Sequence, residues 1–478
     1  MAGSRSRSLL CRAILGACLA AAPAHAAPPP APSPAADLAF LDALTWGATP
    51  TAFATLRAQG RDAWLRAQLH PPASLALPRT VAARIAADRP QGELFDRMVA
   101  LEAQAKAANA LTDPDARKAA QTAYQGALNE AARHAASATI LRALYAPDQL
   151  RERMAWFWFN RFNVHQGKAN LRAQVGDYLD TAIRPHALGR FRDLVGATLE
   201  HPAMLRYLDN TENAVGRINE NYARELMERH TLGIGGGYTQ HDVEELARIL
   251  TGAGVDARPE NPKLKPELQG DLVRRGLFLF NPARHDAGGK VLLGQGVRGH
   301  GFGEVTEALD ILCRHPATAR HVGRAIAAYL MGRPPSEALV ERLAGVFTRT
   351  DGEIAAVIDA LVHAPEFEAA LGTGFKDPMR YVLSALRLAY DDRVILNTGP
   401  VLGWLNRLGE GLFNRSMATP SIRRPGTAPG NSRRASRSPG RSGADRPACS
   451  RPRVRTAPRS RPFRCCRTAS ISGRWPRP

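Results

Sequence analysis

The densest polar segment of the sequence is Asn219–His230. It holds Glu225 and Glu228 three residues apart, so a helix would place both carboxylates on one face. Two carboxylates can act as a general acid and a general base, or bind a divalent cation. Further along the chain, His285 and Asp286 stand side by side and could supply or orient a proton donor. We therefore take these four residues as the catalytic candidates.

Polar side chains around these carboxylates are candidates for holding a ligand. They are amides, acids, a guanidinium and a phenol, all of which donate or accept hydrogen bonds. The ligand-binding candidates are Asp209, Asn210, Asn219, Asn221, Arg224, Tyr238 and Asp242. Spacing alone favours a plainer interpretation, because charge pairs three or four residues apart are common on exposed helices. The functional interpretation expects these groups to meet His285 in one shared cavity.

A helix followed by a glycine-rich turn is expected to position these groups. The segment Asn219–His230 contains strong helix formers and neither Gly nor Pro. Asn219 can cap its start, and Gly233 can end it in the left-handed conformation. Three consecutive glycines then precede Thr239, which can cap a second helix.

The formal net charge of +20 is unevenly distributed along the chain. Residues 415–478 contain 17 Arg, no Lys and one acid, Asp445, and so carry +16, while residues 1–26 carry +3. Residues 27–414 therefore carry only +1, and the main body of the chain is nearly neutral. Nucleic-acid binding would depend wholly on the last segment, and we expect no such function.

Cysteine and motif content exclude several kinds of site. Cys313 is the single cysteine between residues 27 and 414, so no disulfide within that body and no zinc site with several thiolates can form there. The sequence has no nucleophile elbow, no His-Glu-x-x-His, no P-loop and no dinucleotide-binding glycine pattern. It indicates no metal site and no cofactor.

Residues 1–26 have the features of a secretory signal. A basic start is followed by the short apolar run Ala13–Ala22 and the small-x-small cleavage site Ala24–Ala26. The apolar run is too short to cross a membrane as a mature helix. Cleavage before Cys18, as in a lipoprotein, is a less favoured alternative. Residues 27–37 follow as a Pro/Ala-rich linker, so we expect an exported protein with no transmembrane span in the mature chain.

Residues 38–414 have the periodicity of a mainly α, multi-helix globular domain. Residues 92–145 predict two long helices separated at Thr112–Pro114. The aromatic run Trp156–Phe162 is expected in the core. Between residues 276 and 294, two short apolar runs predict a small β-hairpin insertion.

Several segments carry a resemblance to a known family. They are His201–Leu205, Leu208–Asn210, Asn219–Gly233 and Gly237–Gln240, and further similar segments extend over residues 38–414. Together they resemble the bacterial family called domain of unknown function 1800. The resemblance implies an exported protein of the periplasm or cell surface, and it brings no established reaction.

The resemblance also implies a partner, because family members are frequently encoded beside a sulfatase-like family called domain of unknown function 1501. We therefore expect a binding or assembly role in the cell envelope. The alternative is a hydrolase that acts on an extracellular polymer through the Glu, Asp and His candidates. One position departs from the family, whose members commonly place His where Arg161 stands. This departure weakens a catalytic or metal role at Arg161, although His165 could replace it in space.

The composition changes abruptly after Asn414 to Arg, Ser, Pro and Gly. A disordered basic tail is one explanation. We favour a slipped reading frame, because the codons of Ser416–Gly426 read two bases later can give Asp-Gly-Tyr-Pro-Val-Asp-Pro-Ala-Ala-Trp. Family members commonly carry Pro-Asp-Gly-Tyr-Pro and then Trp after a segment similar to Leu408–Phe413. Arg-rich and Pro-rich translation is also typical of a GC-rich gene read out of frame.

Overall fold

The computed structural model describes residues 33–72 and 75–415. The predicted secretory signal, the alternative lipidation site at Cys18, most of the Pro/Ala-rich linker and the Arg-rich segment after residue 415 lie outside these ranges. Within the described ranges, no helix combines the length and the apolar character needed to cross a membrane.

Helices make up most of the described chain, so the predicted mainly α fold is confirmed. The α-helices are α1 (Pro34–Leu44), α2 (Pro50–Gln59), α3 (Arg61–Leu69), α4 (Arg79–Asp88), α5 (Leu94–Ala110), α6 (Pro114–Tyr145), α7 (Gln149–Arg161), α8 (Val175–Asp177), α9 (Phe191–Glu200), α10 (Pro202–Tyr207), α11 (Asn221–Glu225), α12 (Gln240–Ile249), α13 (Phe302–Arg314), α14 (Pro316–Met331), α15 (Glu337–Arg349), α16 (Ile354–Val362), α17 (Pro365–Glu368), α18 (Pro378–Ala389) and α19 (Gly399–Arg407). The two long helices predicted between residues 92 and 145 are α5 and α6, which pack against each other.

Shorter turns of other helical types connect these helices. Two are π-helices, Tyr178–Ile183 and Leu226–His230. The 3₁₀ turns are Leu171–Ala173, Arg184–His186, Asn210–Glu212, Pro266–Asp271 and Pro282–Arg284. π-Helical turns are rare and frequently mark functional sites.

Helix α7 is buried on nearly all sides and lies at the centre of the core. Trp158 is fully buried, and its Nε1 donates to Ala187 O at 2.9 Å. Phe159 packs edge-on against Phe413, with ring centroids 5.0 Å apart. The prediction that this aromatic run belongs to the core is therefore confirmed.

The first helix begins earlier than the sequence predicts. Ser33 Oγ accepts a hydrogen bond from Ala36 N at 3.2 Å, and Pro34 occupies the first helical position. Both features favour a helix start. Residues 34–37, which we assigned to the linker, are therefore the first turn of α1.

The β insertion is present, but its pairing differs from the predicted single hairpin. Strand β3 (Phe278–Phe280) lies between β1 (Ala253–Val255) and β2 (Val273–Arg275), and both pairs are antiparallel. Strand β4 (Val291–Leu292) pairs instead with β5 (Gln295–Gly296). The two predicted apolar runs therefore form strands in two separate sheets. Both runs are short, and each finds a nearer partner in sequence across a tight turn.

Helix α12 connects the predicted site segments. It packs against α11 on one side and against β4 on another. Thr239 caps it as predicted, accepting a hydrogen bond from Asp242 N at 3.2 Å. Asp242 Oδ2 accepts in return from Thr239 N at 2.8 Å, which completes a capping box.

Candidate functional site

The predicted motif helix has an α-helical half and a π-helical half. Helix α11 ends at Glu225, and the π-helix Leu226–His230 continues it. Thr231 N donates to Leu226 O at 2.9 Å, five residues back along the chain, which is the π-helical pattern. Gly233 follows with a φ of +84°, so the predicted left-handed end of the helix is confirmed.

The acidic candidates on the motif helix each face an arginine one turn away. Arg229 Nε lies 3.0 Å from Glu225 Oε2. Arg224 Nη2 lies 2.8 Å from Glu220 Oε2, and its Nη1 lies 3.7 Å from Glu228 Oε1. The plainer interpretation of the spacing, an ion-paired helix surface, accounts for these contacts.

Glu225 and Tyr238 are partly shielded from solvent, and their ionisation changes accordingly. Burial raises the pKa of Glu225 above its ordinary value, against the opposing attraction of Arg229. Burial also raises the pKa of the Tyr238 phenol, and the neighbouring Glu228 carboxylate, which accepts its hydrogen bond, adds to this rise. Both groups are therefore held towards their neutral forms.

Asp209 and Asn210 are used within the fold. Asp209 has a φ of +59°, and its Oδ1 lies 2.7 Å from Lys168 Nζ. Asn210 is buried, and its Nδ2 donates to Leu250 O at 3.1 Å and to Ala253 O at 2.7 Å. The Asn210 side chain thus joins this turn to the end of α12 and to β1.

Asn219 and Asn221 hold the start of the motif helix. Asn219 Oδ1 accepts from Asn221 N at 3.0 Å, so Asn219 supports the helix start from one residue further back than predicted. The two Nδ2 groups donate to Asp209 O at 3.3 Å and to Leu208 O at 3.1 Å, respectively. Backbone carbonyls thus already accept hydrogen bonds from both amide groups. Ligand binding by Asn219 and Asn221 stays a prediction.

His285 lies in the interior beside a lysine–glutamate pair. Its Nδ1 lies 2.9 Å from Thr251 O, and its Nε2 lies 3.3 Å from Glu304 Oε2. Glu304 also accepts from Lys290 Nζ at 2.5 Å. All four residues are buried, so the histidine sits in a closed polar interior rather than on an open surface.

Asp286 and Asp242 both accept hydrogen bonds that join α12 to the segment carrying the β insertion. Arg248 donates from Nε and Nη2 to the two Asp286 oxygens at 2.9 and 3.1 Å. These hydrogen bonds are the largest influence that lowers the pKa of Asp286 to about 2. Arg248 also donates to Glu245 Oε1 at 2.6 Å. Asp242 Oδ1 accepts from Leu293 N at 2.8 Å and so anchors the β4–β5 hairpin.

The structure therefore separates the four catalytic candidates into two groups. Glu225 and Glu228 face arginines of their own helix, whereas His285 and Asp286 face α12 and the β insertion. Within residues 33–72 and 75–415, no hydrogen bond or ion pair joins one group to the other. We expected all these groups to meet His285 in one cavity, and no contact among the described residues supports that expectation.

Two of the cavities in the described part of the domain are lined by ionisable side chains outside the predicted site. One of about 330 Å³ is lined by Asp177, His201 and Arg275, among others. In it, His201 Nε2 lies 3.1 Å from Asp177 Oδ1, while its Nδ1 caps α10. A second, of about 250 Å³, adjoins Arg192 and Cys313. Neither cavity is lined by any of the predicted site residues.

Comparison with known proteins places this arrangement in a family. The family described as Protein of unknown function (DUF1800) matches residues 39–419. The chain belongs to this family. No curated protein and no solved structure matches it. The match covers α2 to α19 in full, and so includes both groups of candidates.

A third polar group of the DUF1800 domain was missed by the site prediction. His230, at the end of the motif helix, is fully buried, and it lies near Arg161 and His321. His230 stands in the family-like segment Asn219–Gly233, which is the signal that could have found it. His165, considered as a spatial substitute at Arg161, instead accepts a hydrogen bond from Gly167 N at 3.0 Å within its own turn.

Proposed function

We propose that this DUF1800 protein is exported and has a binding or assembly role in the cell envelope, with a sulfatase-like protein of the family called domain of unknown function 1501 as its partner. The observation that carries the proposal is an exposed apolar surface on α18 and α19, which pack against each other. Tyr381 and Leu388 on α18 are 63% and 64% exposed. Trp404 on α19 and Leu408 just after it are 41% and 51% exposed.

The spacing of these side chains gives each helix an apolar exposed stripe. Tyr381 and Leu388 are two turns apart, and Trp404 and Leu408 are one turn apart. Exposed apolar patches on soluble domains commonly mark interaction sites, and aromatic residues are enriched in protein interfaces. The acids of the predicted catalytic set are meanwhile engaged by arginines, which favours binding over acid–base chemistry.

A capture experiment tests the proposal. The tagged full chain is used to capture the partner from envelope extract, and the partner is identified by mass spectrometry. The double variant Tyr381→Ser/Trp404→Ser should lose most of the captured partner, because apolar anchors dominate interface energies. Val215→Ser is the matched control, since Val215 is 51% exposed at a different place. Equal capture by all three proteins would rule out this surface.

Export is tested separately by fractionation. Expressed with its own first 26 residues, the protein should appear in the periplasmic or surface fraction, and N-terminal sequencing should find cleavage after Ala26. Palmitate labelling that disappears in Cys18→Ser would instead show the lipoprotein alternative. Recovery of the uncleaved chain in the cytoplasm would contradict export.

A hydrolase acting on an extracellular polymer is the second candidate, and one observation favours it. Glu225 is the catalytic candidate whose pKa is raised, a property expected of a general acid. Glu225→Gln should then abolish release of soluble fragments from envelope polymers. Glu220→Gln, which changes another arginine-paired acid of the same segment, should leave it intact. Absence of any release by the unmodified protein would dismiss this candidate.

We also propose that the reading frame slips near residue 415, and that the native protein continues with the shifted translation. The abrupt change of composition after Asn414 supports this proposal. Resequencing the gene, with an independent isolate as control, decides it. If restoring the frame also buries Trp404, measured by its fluorescence, then the apolar surface belongs to the chain's own last segment. The docking proposal for α18 and α19 would then fail.

A further inference from the structure

The side chain of His230 has an unusual environment. Its imidazole is fully buried, yet neither ring nitrogen has a hydrogen-bond partner among residues 33–72 and 75–415. One face of the ring packs against Phe162, with centroids 4.7 Å apart. Buried polar groups are nearly always hydrogen-bonded, so an exception calls for an explanation such as a missing ligand. Its place in a π-helical turn points the same way.

Arg161, at the end of α7, is the charged neighbour of His230. Its Nη2 contacts His321 Nε2, and its buried Nε has no hydrogen-bond partner in the part of the chain that the structure describes. Within the described chain, no carboxylate pairs with this guanidinium. Burial, together with the like charge of Arg229, lowers the pKa of Arg161 to about 10. The cluster therefore has positive charge without compensation.

His321 closes the cluster on the side of the glycine-rich turn. A Cβ at Gly233 would lie 2.5 Å from His321 Nδ1, so only glycine allows this close approach. His321 and Arg161 are each only partly buried, which leaves the cluster accessible from one side. The next residue of the turn, Ile234, is 87% exposed at that edge.

We propose that Arg161, His230 and His321 bind the anionic group of a ligand, namely a carboxylate, a sulfate or a phosphate. Among the described residues, no carboxylate pairs with the positive charge of Arg161, and an anionic ligand would supply the missing negative charge. Arg161 offers the planar fork of N–H donors that matches such groups, and a neutral imidazole of His230 offers one further N–H. An anion would therefore satisfy the buried donors of both residues and neutralise the guanidinium.

A metal ion fits the same cluster poorly. The cluster contains two histidines, and burial, more than any other influence, lowers the pKa of each to about 3. Both imidazoles are therefore neutral and have a nitrogen that could bind a metal ion. However, the guanidinium of Arg161 lies against His321 Nε2 and repels a cation. No group of three metal-ligating side chains occurs in the described ranges. Charge therefore selects an anion.

Calorimetric titration of the full chain with sodium sulfate, sodium phosphate and sodium acetate tests the proposal, with sodium chloride at matched ionic strength as the reference. The preferred salt identifies the anionic group. Arg161→Gln should weaken saturable binding at least about 10-fold, because it removes a charge-assisted hydrogen-bond donor. Arg161→Lys keeps the charge and should lose less. The Arg-rich segment after residue 415 is present in every protein, so its own anion binding cancels in the comparison.

A second variant separates a binding role from a packing role. His230→Phe keeps the aromatic contact with Phe162 and removes the unpartnered nitrogens. It should melt at a temperature equal to or above that of the unmodified protein, and it should lose the rise in melting temperature that the preferred anion produces. Arg192→Gln, which removes a surface arginine paired with Asp310, should keep that rise. Equal anion responses in the unmodified, Arg161→Gln and His230→Phe proteins would overturn the proposal, as would a His230→Phe protein that is unstable but retains its response.

Discussion

Two polar clusters in this domain differ in whether their charged side chains have oppositely charged partners. In the lysine–glutamate cluster (Arg248, His285, Asp286, Lys290 and Glu304), every charged side chain has an oppositely charged partner. In the histidine–arginine cluster (Arg161, His230 and His321), one guanidinium faces two neutral imidazoles and no acid within the described ranges. Both clusters include side chains from distant parts of the chain.

The difference indicates different roles. A buried charge that is fully paired holds elements together, and removing one partner is strongly destabilising. A buried charge left without a counter-charge lowers stability, and native proteins retain such groups mainly at functional sites. We therefore expect substitutions to weaken folding in the lysine–glutamate cluster and to weaken binding in the histidine–arginine cluster.

The largest expected effect is that of Glu304→Gln. It leaves the Lys290 ammonium, whose side chain is 1% exposed, without a negative partner. The free energy of unfolding should fall by about 3 kcal/mol, measured by urea denaturation. Glu337→Gln is the control, because its pair with Arg324 is exposed and should contribute little. A loss no larger than the control's would remove the distinction between the clusters.

His230→Phe should act in the opposite direction. It removes two unpartnered polar atoms from the interior and should raise the free energy of unfolding by about 1 kcal/mol, measured in the same way without added anion. His285→Phe is the matched change in the lysine–glutamate cluster and should be destabilising, because it breaks the hydrogen bond to Thr251 O. Destabilisation of equal size in both variants would show that His230 is an ordinary core residue.

Asp286→Asn should show a smaller effect that depends on pH. Its hydrogen bonds from Arg248 lower the pKa of Asp286 to about 2, below the ordinary value of 3.8. Stability from this carboxylate is therefore fully present above about pH 4 and is lost as the pH falls through about 2. The melting temperatures of the variant and the unmodified protein should differ at pH 7 and converge towards pH 2. A difference that stays constant with pH would mean that ionisation of Asp286 contributes nothing.

The smallest effect is expected for Arg224→Gln on the motif helix. Arg224 is 39% exposed and pairs with Glu220 within one turn, so the loss should be about 0.5 kcal/mol. The same experiments at 1 M salt should remove most of this difference, because exposed pairs are screened. A loss above about 2 kcal/mol would show that this surface carries more than solvated ion pairs.

Most of the fold could be predicted from local sequence patterns. Thr239 caps α12 as predicted, and Thr49 and Asp113 cap α2 and α6 in the same manner, because capping depends on a few neighbouring residues. The aromatic run of α7 is buried as expected. The strand pairing could not be predicted, because β3 pairs with β1, whose residues lie about 25 positions earlier and carry no strong strand pattern.

The candidate site was predicted less well, for a different reason. The sequence shows that Glu225, Arg224 and Asn210 are polar, but it does not show with which residues they form hydrogen bonds or ion pairs. The Asn210 amide donates to Leu250 O at the end of α12 and to Ala253 O in β1, which lie 40 and 43 residues further along the chain. Such partners depend on packing between distant segments, and spacing along one helix carries no information about them.

By itself, the sequence determined the helical class, the family, the cap of α12 and the nearly neutral charge of residues 27–414. These depend on periodicity, capping and composition, which act over a few residues or over whole segments. Only the tertiary structure decided which charges are paired and which are not. Arg161, His230 and His321 come from three separate segments, and whether a buried group finds a partner depends on the surroundings that those segments form together.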